Sequence, residues 1–301
     1  MNGNEALHRI AAGLLAAAVL LLGACAKDPA ATAQATTEVA TPAAAVGPKL
    51  YILDCGTISS MDPALFNLKK EEVAGDGSFV SPCYLIVHPK GTLAWDVGQV
   101  PDKDIKDDGT EAVVQDILKA TRRLDHQLEA LGHPIPGITY VAMSHYHTDH
   151  TGNANAFAGS TWIVQQAEYD MMFKEGDVGI RTPETYAALK DAKRITLNGS
   201  DHDVFGDGTV VIKSGPGHTP GHQMLFLRLA NFGPLLLEGD LYHYPEERTL
   251  DRVPTFDADA AVTRDTRRKV DAFLKETGAQ MWIQHDPPTY ATLKKAPEYY
   301  D

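Results

Sequence analysis

The chain has 301 residues, 44% of them hydrophobic, with 27 Lys and Arg against 40 Asp and Glu for a formal net charge of −13. No basic stripe occurs along it, which argues against a nucleic-acid partner, and the negative field disfavours a highly anionic substrate. Bulk composition is that of a globular enzyme, not of a disordered or fibrous chain.

Residues 1–25 read as an export signal. His8 and Arg9 precede an apolar run from Ile10 to Leu22, closed by Leu22-Gly23-Ala24-Cys25. The run is short for a bilayer span. It resembles a bacterial lipoprotein signal, which implies lipidation at Cys25 and a place in the cell envelope, with Ala26 pointing to the outer membrane. More than one acyl chain gives stable anchoring where a single chain does not. Residues 26–48 are mostly Ala, Thr, Pro and Val, a flexible tether with little to bury. The folded part is expected over residues 49–301, a catalytic domain in the periplasm or at the surface.

A first strand is expected at Lys49-Leu50-Tyr51-Ile52-Leu53-Asp54-Cys55-Gly56, and more strand at 83–91 and 93–98. Cys55 and Cys83 lie on the first two of these, and the sequence leaves a disulfide and two buried thiols equally open. The long connection 57–81 carries Met61, Leu65, Phe66, Leu68 and Phe79, and loops of this length are often functional. A helix is expected at about 111–131 from the spacing of Val113, Val114, Ile117, Leu118, Leu124, Leu128 and Leu131, with no chemistry assigned to it. Residues 166–190 carry Tyr169, Met171, Met172 and Phe173, which could cover a site mouth, although packing on the core accounts for each of them at least as well. A second helix is expected at about 258–277, with Val262, Val270, Phe273 and Leu274. Gly75-Asp76-Gly77 and Gly206-Asp207-Gly208 are turn signals, and no repeat, phosphate-cradling loop or nucleotide fingerprint is present.

The most informative stretch is His145-Tyr146-His147-Thr148-Asp149-His150, four potential metal ligands in six residues. Neutral imidazoles with an added carboxylate suit zinc and similar divalent ions. The run Ile138–Met143 leads into it. Three later apolar runs end the same way: Val210-Val211-Ile212 before His218 and His222, Leu235-Leu236-Leu237 before Asp240, and Met281-Trp282-Ile283 before His285. Strands deliver site residues at their C-terminal ends in layered α/β architectures.

On these residues the chain resembles the metallo-β-lactamase superfamily, whose His-X-His-X-Asp-His loop, later His, later Asp and final His all occur in order. The resemblance implies an α/β fold, the αββα sandwich of two mixed β-sheets flanked by helices. It implies two divalent metal ions, with zinc first and iron, cobalt and manganese also suited. One falls to His145, His147 and His218, the other to Asp149, His150 and His285, with Asp240 bridging. A bridging aspartate disfavours a true β-lactamase. The segments 49–56, 83–98, 239–244 and 283–286 resemble N-acyl-homoserine lactonases most, which implies attack of a metal-bridging hydroxide on a lactone carbonyl, in the service of quorum quenching. Asp149 would then orient the nucleophile and shuttle a proton. In place of that family's tyrosine three residues after the bridging aspartate stands His243, flanked by Tyr242 and Tyr244, and any of the three is a candidate substrate contact. Ser144, Thr148, Thr219 and His222 are candidates to steady the imidazoles. There is no Gly-X-Ser-X-Gly elbow, so no serine nucleophile is called for. The expected partner is a small lactone or ester; another ester or an organophosphate triester is the alternative substrate, and a non-catalytic metal protein the alternative class. Acyl-chain preference and oligomeric state, a homodimer included, stay open.

Overall fold

The computed structural model describes residues 47–176 and 180–301, which fall within one compact unit. The export signal, and the tether apart from Gly47 and Pro48, lie outside the described residues. No described helix is long and apolar enough to cross a membrane.

Among the described residues, thirteen strands form two sheets. The first contains β1 (Lys49–Ile58), β2 (Phe79–His88), β3 (Gly91–Trp95), β4 (Ala112–Val114), β5 (Leu118–Ala120), β6 (Tyr140–Ala142), β7 (Thr161–Gln165) and β8 (Arg194–Leu197), in the order β4-β5-β1-β2-β3-β6-β7-β8. The second contains β9 (His202–Asp203), β10 (Val210–Ser214), β11 (Gln223–Leu229), β12 (Gly233–Leu237) and β13 (Gln280–Trp282), in the order β13-β12-β11-β10-β9. Both are mixed: β3, β6, β7 and β8 run parallel to one another, as do β12 and β13, while the remaining pairs are antiparallel. The helices are α1 (Leu124–Ala130), α2 (Thr148–Thr151), α3 (Gln166–Met172), α4 (Pro245–Thr249), α5 (Ala260–Thr277) and α6 (Pro287–Thr292).

Alternation along β2 explains the layering. Tyr84 and Ile86 point into the inter-sheet core with Leu50, Ile52, Leu93 and Trp95, against Ile212, Leu225, Leu227, Leu235 and Leu237 of the second sheet. Cys83 and Leu85 point the other way, to Leu124 and Leu128 of α1 and Met172 of α3. On the far face of the second sheet, Phe226 and Leu236 pack with Val270, Phe273 and Leu274 of α5. The result is the αββα sandwich. Asp259 caps α5 by accepting from Ala261 and Val262, and Gly278 ends it in the left-handed region, so this helix starts and stops within two residues of expectation.

The expected helix at 111–131 is a correction. Only Leu124–Ala130 is helical; Ala112–Ala120 is the hairpin β4–β5, whose tip Gln115 and Asp116 turn at φ of 52° and 63°. Alternation and helical spacing coincide over so short a run. Pairing of β5 with Thr57 and Ile58 of β1 decided between them. Cys55 and Cys83 form a disulfide, their Cα atoms 5.8 Å apart on facing strands.

Candidate metal centre

Each expected ligand stands at or beyond the C-terminal end of a strand. His145 follows β6, His218 follows β10, Asp240 follows β12 and His285 follows β13. Antiparallel steps from β10 to β11 to β12 leave β10 parallel to β12 and β13, so their three loops open at one end of the second sheet. His147 is the last extended residue before α2, which places Asp149 and His150 on the helical turn that follows. Gly239 makes the tight approach possible. It sits at φ 63°, and a Cβ there would come within 2.6 Å of the His222 ring.

Two clusters result, sharing Asp240. In the first, His145 Nε2, His147 Nδ1 and His218 Nε2 lie 2.8, 3.1 and 3.2 Å from one another, with Asp240 Oδ2 3.6 Å from both His145 and His218. In the second, Asp240 Oδ1 is 3.2 Å from His150 Nε2 and 3.1 Å from His285 Nε2. Asp149 Oδ2 is 3.3 and 3.4 Å from the same two nitrogens. One carboxylate therefore turns one oxygen to each cluster, as a bridging ligand does.

The donor set fits divalent ions. His218 Nδ1 stands 2.9 Å from Asp257 Oδ1, His150 Nδ1 3.0 Å from Asp96 Oδ2, and His285 Nδ1 2.8 Å from the Val80 carbonyl. Each acceptor calls for N–H on that side and so a lone pair on the opposite nitrogen. In the first cluster such a lone pair meets other ring nitrogens, and in the second it meets carboxylate oxygens. His150 Nε2 is buried with no hydrogen bond at all. Lone pairs aimed at each other and at carboxylates are repulsive unless a cation sits among them. Burial holds the His147 ring down at about 3 and the His145 ring well below its ordinary value, the neutral ligand form. Burial works against protonation of His150 too, but Asp240, Asp149 and Asp96 outweigh it and raise that ring; the same negative potential attracts a metal ion.

The supporting shell is partly as expected. Ser144 Oγ stands 3.1 Å from His145 Nδ1 and 3.0 Å from His150 Nδ1. His222 is not a ligand: its Nε2 accepts from the Asp240 backbone N–H at 3.0 Å while Nδ1 faces the Gly215 carbonyl. Thr219 donates to Glu168, and Thr148 contacts Thr182, so neither steadies an imidazole. Sequence reasoning gave no role to Asp96, Asp257, Glu168 or Glu247. Asp96 Oδ1 accepts from the Ser144 backbone at 2.6 Å, and its Oδ2 faces Ser144 Oγ, His150 and the Gln284 amide. The signal was there, because Leu93-Ala94-Trp95-Asp96 is one more apolar strand ending in a carboxylate. Glu168 accepts from Tyr146 N, Thr219 Oγ1 and Gly221 N, tying the two histidine loops together. Its burial pushes the carboxyl up to about 7.

Of residues 242–244, only His243 faces the clusters. Its Nε2 is 3.2 Å from Asp240 Oδ2 and its Nδ1 3.3 Å from Glu247 Oε1. Burial opposes its charge, and Glu247 and Asp240 more than offset that, raising its pKa well above the ordinary value. Tyr242 lies under the Arg267 guanidinium, 4.1 Å from its ring centre, and Tyr244 donates its hydroxyl to the Gly77 carbonyl. Both are thereby set apart from the substrate contacts expected of them.

An apolar pocket leads to the centre. His147, Asp149, Asp240, His243 and His285 form its polar end, and its walls include Ile58, Met61, Phe66, Phe79, Ile117, Leu118 and Phe256. The 57–81 connection thus contributes as expected. The 166–190 segment does not contribute through Tyr169, Met171, Met172 and Phe173, which pack in the core behind the first sheet; among its described residues, the contribution to the pocket wall is Ile180.

A family model described as the metallo-beta-lactamase superfamily matches residues 76–277. The N-acyl homoserine lactonase AttM of Azorhizobium caulinodans is 33% identical over 270 residues, covering 84% of this chain and 98% of that protein. Among solved structures, an N-acyl homoserine lactone hydrolase with the product N-hexanoyl-L-homoserine bound at its catalytic metal centre superposes with a TM-score of 0.70 at 24% identity, over 84% of this chain and 99% of that one. AidC, a dizinc quorum-quenching lactonase, superposes at 0.62 with 18% identity, over 84% and 94%. These two likenesses speak for the fold.

Proposed function

The chain belongs to the metallo-beta-lactamase superfamily, and we propose that it is a dinuclear metal-dependent hydrolase that opens the lactone ring of N-acyl-homoserine lactones. The observation that carries this reading is the pair of ligand clusters sharing Asp240 at the polar end of an apolar pocket. Kinship with AttM along nearly its whole length supports the lactone over other esters. His145, His147 and His218 would hold one ion, Asp149, His150 and His285 the other, with Asp240 between them. Two such ions, zinc by the ligand types, would make hydroxide available at neutral pH and polarise an ester carbonyl.

The chain's own residues do the rest. The side chain of Asp149 is 16% exposed, whereas His150 beside it is fully buried, so this carboxylate reaches the pocket and can take the proton released by the attacking nucleophile and pass it to the departing ring oxygen. His243 lines the same pocket, and its Nε2, 3.2 Å from Asp240 Oδ2, would donate to a substrate oxygen there. The apolar walls take the acyl chain, each buried methylene contributing about 0.8 kcal/mol. We further propose that Cys25 is lipidated and holds the enzyme at the cell envelope, a reading supported by Leu22-Gly23-Ala24-Cys25 alone.

The test follows proton release by the metal-loaded full-length chain on short- and long-chain N-acyl-homoserine lactones, with paraoxon and nitrocefin alongside. Fast lactone opening, abolished by chelator and by Asp240→Asn, is expected. Fast turnover of paraoxon with slow lactone opening would replace the substrate and keep the metal centre. Radiolabelled palmitate incorporation lost in Cys25→Ser checks the anchor.

A further inference from the structure

One polar feature interrupts the apolar pocket without belonging to the metal centre. Gln115, at the tip of the β4–β5 hairpin, and Thr148 both line the pocket, and buried Thr182 stands between them. Gln115 Nε2 lies 3.2 Å from Thr182 Oγ1, which in turn contacts Thr148 Oγ1 at 2.5 Å.

The donor count along this relay is decisive. An amide nitrogen only donates, so Thr182 Oγ1 accepts from Gln115. Thr182 is 8% exposed and away from the pocket wall, so its own hydroxyl hydrogen needs an acceptor within the protein. Thr148 Oγ1 supplies that acceptor. Thr148, a pocket-lining residue 3% exposed, is then left with a hydroxyl hydrogen for which no described residue offers a partner. The reverse order would strand the hydrogen of Thr182 in the interior, where an unpaired donor is costly. Gln115 and Asp116 hold left-handed backbone at 52° and 63°, the conformation that turns the hairpin at this point.

We infer that Thr148, Thr182 and Gln115 form a specificity relay that selects lactones whose acyl chain carries an oxygen acceptor, an oxo or hydroxyl group, close to the amide. The inference rests on the lactonase reading. Thr148 is flanked by the ligands His147 and Asp149, so its free hydrogen meets the reacting end of the substrate and not the tip of the tail. An unsubstituted chain leaves that donor unpaired; an oxygen at the third carbon satisfies it.

The experiment compares 3-oxo, 3-hydroxy and unsubstituted lactones of equal chain length on the metal-loaded full-length chain. The ratio of kcat/KM between substituted and unsubstituted substrates is read for the protein, Thr148→Val, Thr182→Val and Gln115→Leu. Loss of one neutral hydrogen bond is worth about fivefold to tenfold, so Thr148→Val should lower the ratio by that factor. Gln115→Leu, which changes neither a candidate metal ligand nor Thr148, should lower it in the same direction by less, and it keeps the inference testable if Thr148→Val misfolds. Dissociation constants of the ring-opened products, measured by calorimetry, should follow the same order. An unchanged ratio in Gln115→Leu and whichever threonine variants fold would overturn the relay while leaving the lactonase standing. A protein that opens no lactone of either kind would sink both.

Discussion

Asp96 Oδ2 lies 3.0 Å from Nδ1 of His150, and Asp96 holds this position with its backbone at φ 49°, in left-handed space unusual for aspartate. The residue is 1% exposed, and its two oxygens also receive the backbone and hydroxyl of Ser144 and the amide of Gln284. A buried carboxylate held at positive φ with this many donors fixes the direction of the His150 ring. Asp96→Asn puts an amide among those donors. It should cost about 10- to 100-fold in metal affinity at the His150 cluster, as partners of ligating histidines usually do. Competition with a coloured chelator measures this, and retention of both metals at unchanged affinity would show that Asp96 only packs.

His243→Phe separates substrate contact from architecture. Phenylalanine keeps the ring among Phe66, Phe79 and Phe256, and Glu247 still accepts from the backbone N–H of residues 243 and 244. Metal content should therefore stay the same while kcat falls by about 100-fold or more, the range expected when one positioned donor or acid is removed. Full activity would exclude His243 from the chemistry.

Glu168 makes stability depend on pH. Its carboxyl, ordinarily near 4.5, is pushed by burial to about 7 in the folded protein. A raised acid is ionised in the unfolded chain before it is ionised in the folded one, so its contribution to stability is greatest below 4.5 and falls as pH climbs to 7. Glutamine at this position has no such dependence. Unfolding by urea with chelator present should show the protein losing about 2 to 3 kcal/mol relative to Glu168→Gln between pH 5 and 8. Parallel curves for the two proteins would mean that the hydrogen bonds from Tyr146, Thr219 and Gly221 already hold the carboxylate ionised.

The Cys55–Cys83 disulfide closes a loop across 28 positions that includes Met61, Phe66 and Phe79 of the pocket wall. Chain entropy for that length corresponds to about 3 to 4 kcal/mol. Cys55→Ser with Cys83→Ser should lower the unfolding midpoint in denaturant by a matching amount, read by circular dichroism with and without reductant. The reductant should leave the double variant unaffected.

The ligand set was legible because metal chemistry restricts residue types sharply and the loops follow apolar runs. His145, His147, Asp149, His150, His218, Asp240 and His285 are brought together by four strand ends opening on one side. The sandwich was legible for a similar reason, since strands of both sheets carry apolar residues on two faces and so need covering on both. The hairpin at 112–120 was misread as helix because its few apolar residues fit either period, and only pairing with β1 distinguishes them.

By itself, the sequence determined the first strand, the helix at 258–277 and the candidate metal ligands with their order, all set by local pattern or by the scarcity of such chemistry elsewhere in the chain. Tertiary structure alone decided which of Tyr242, His243 and Tyr244 faces the centre, that Asp96 and Asp257 stand behind histidines 54 and 39 residues away, and that Thr148 ends a relay begun at Gln115. Those relations depend on side-chain direction across elements distant in sequence, and no local periodicity records a contact made only when two sheets close on each other.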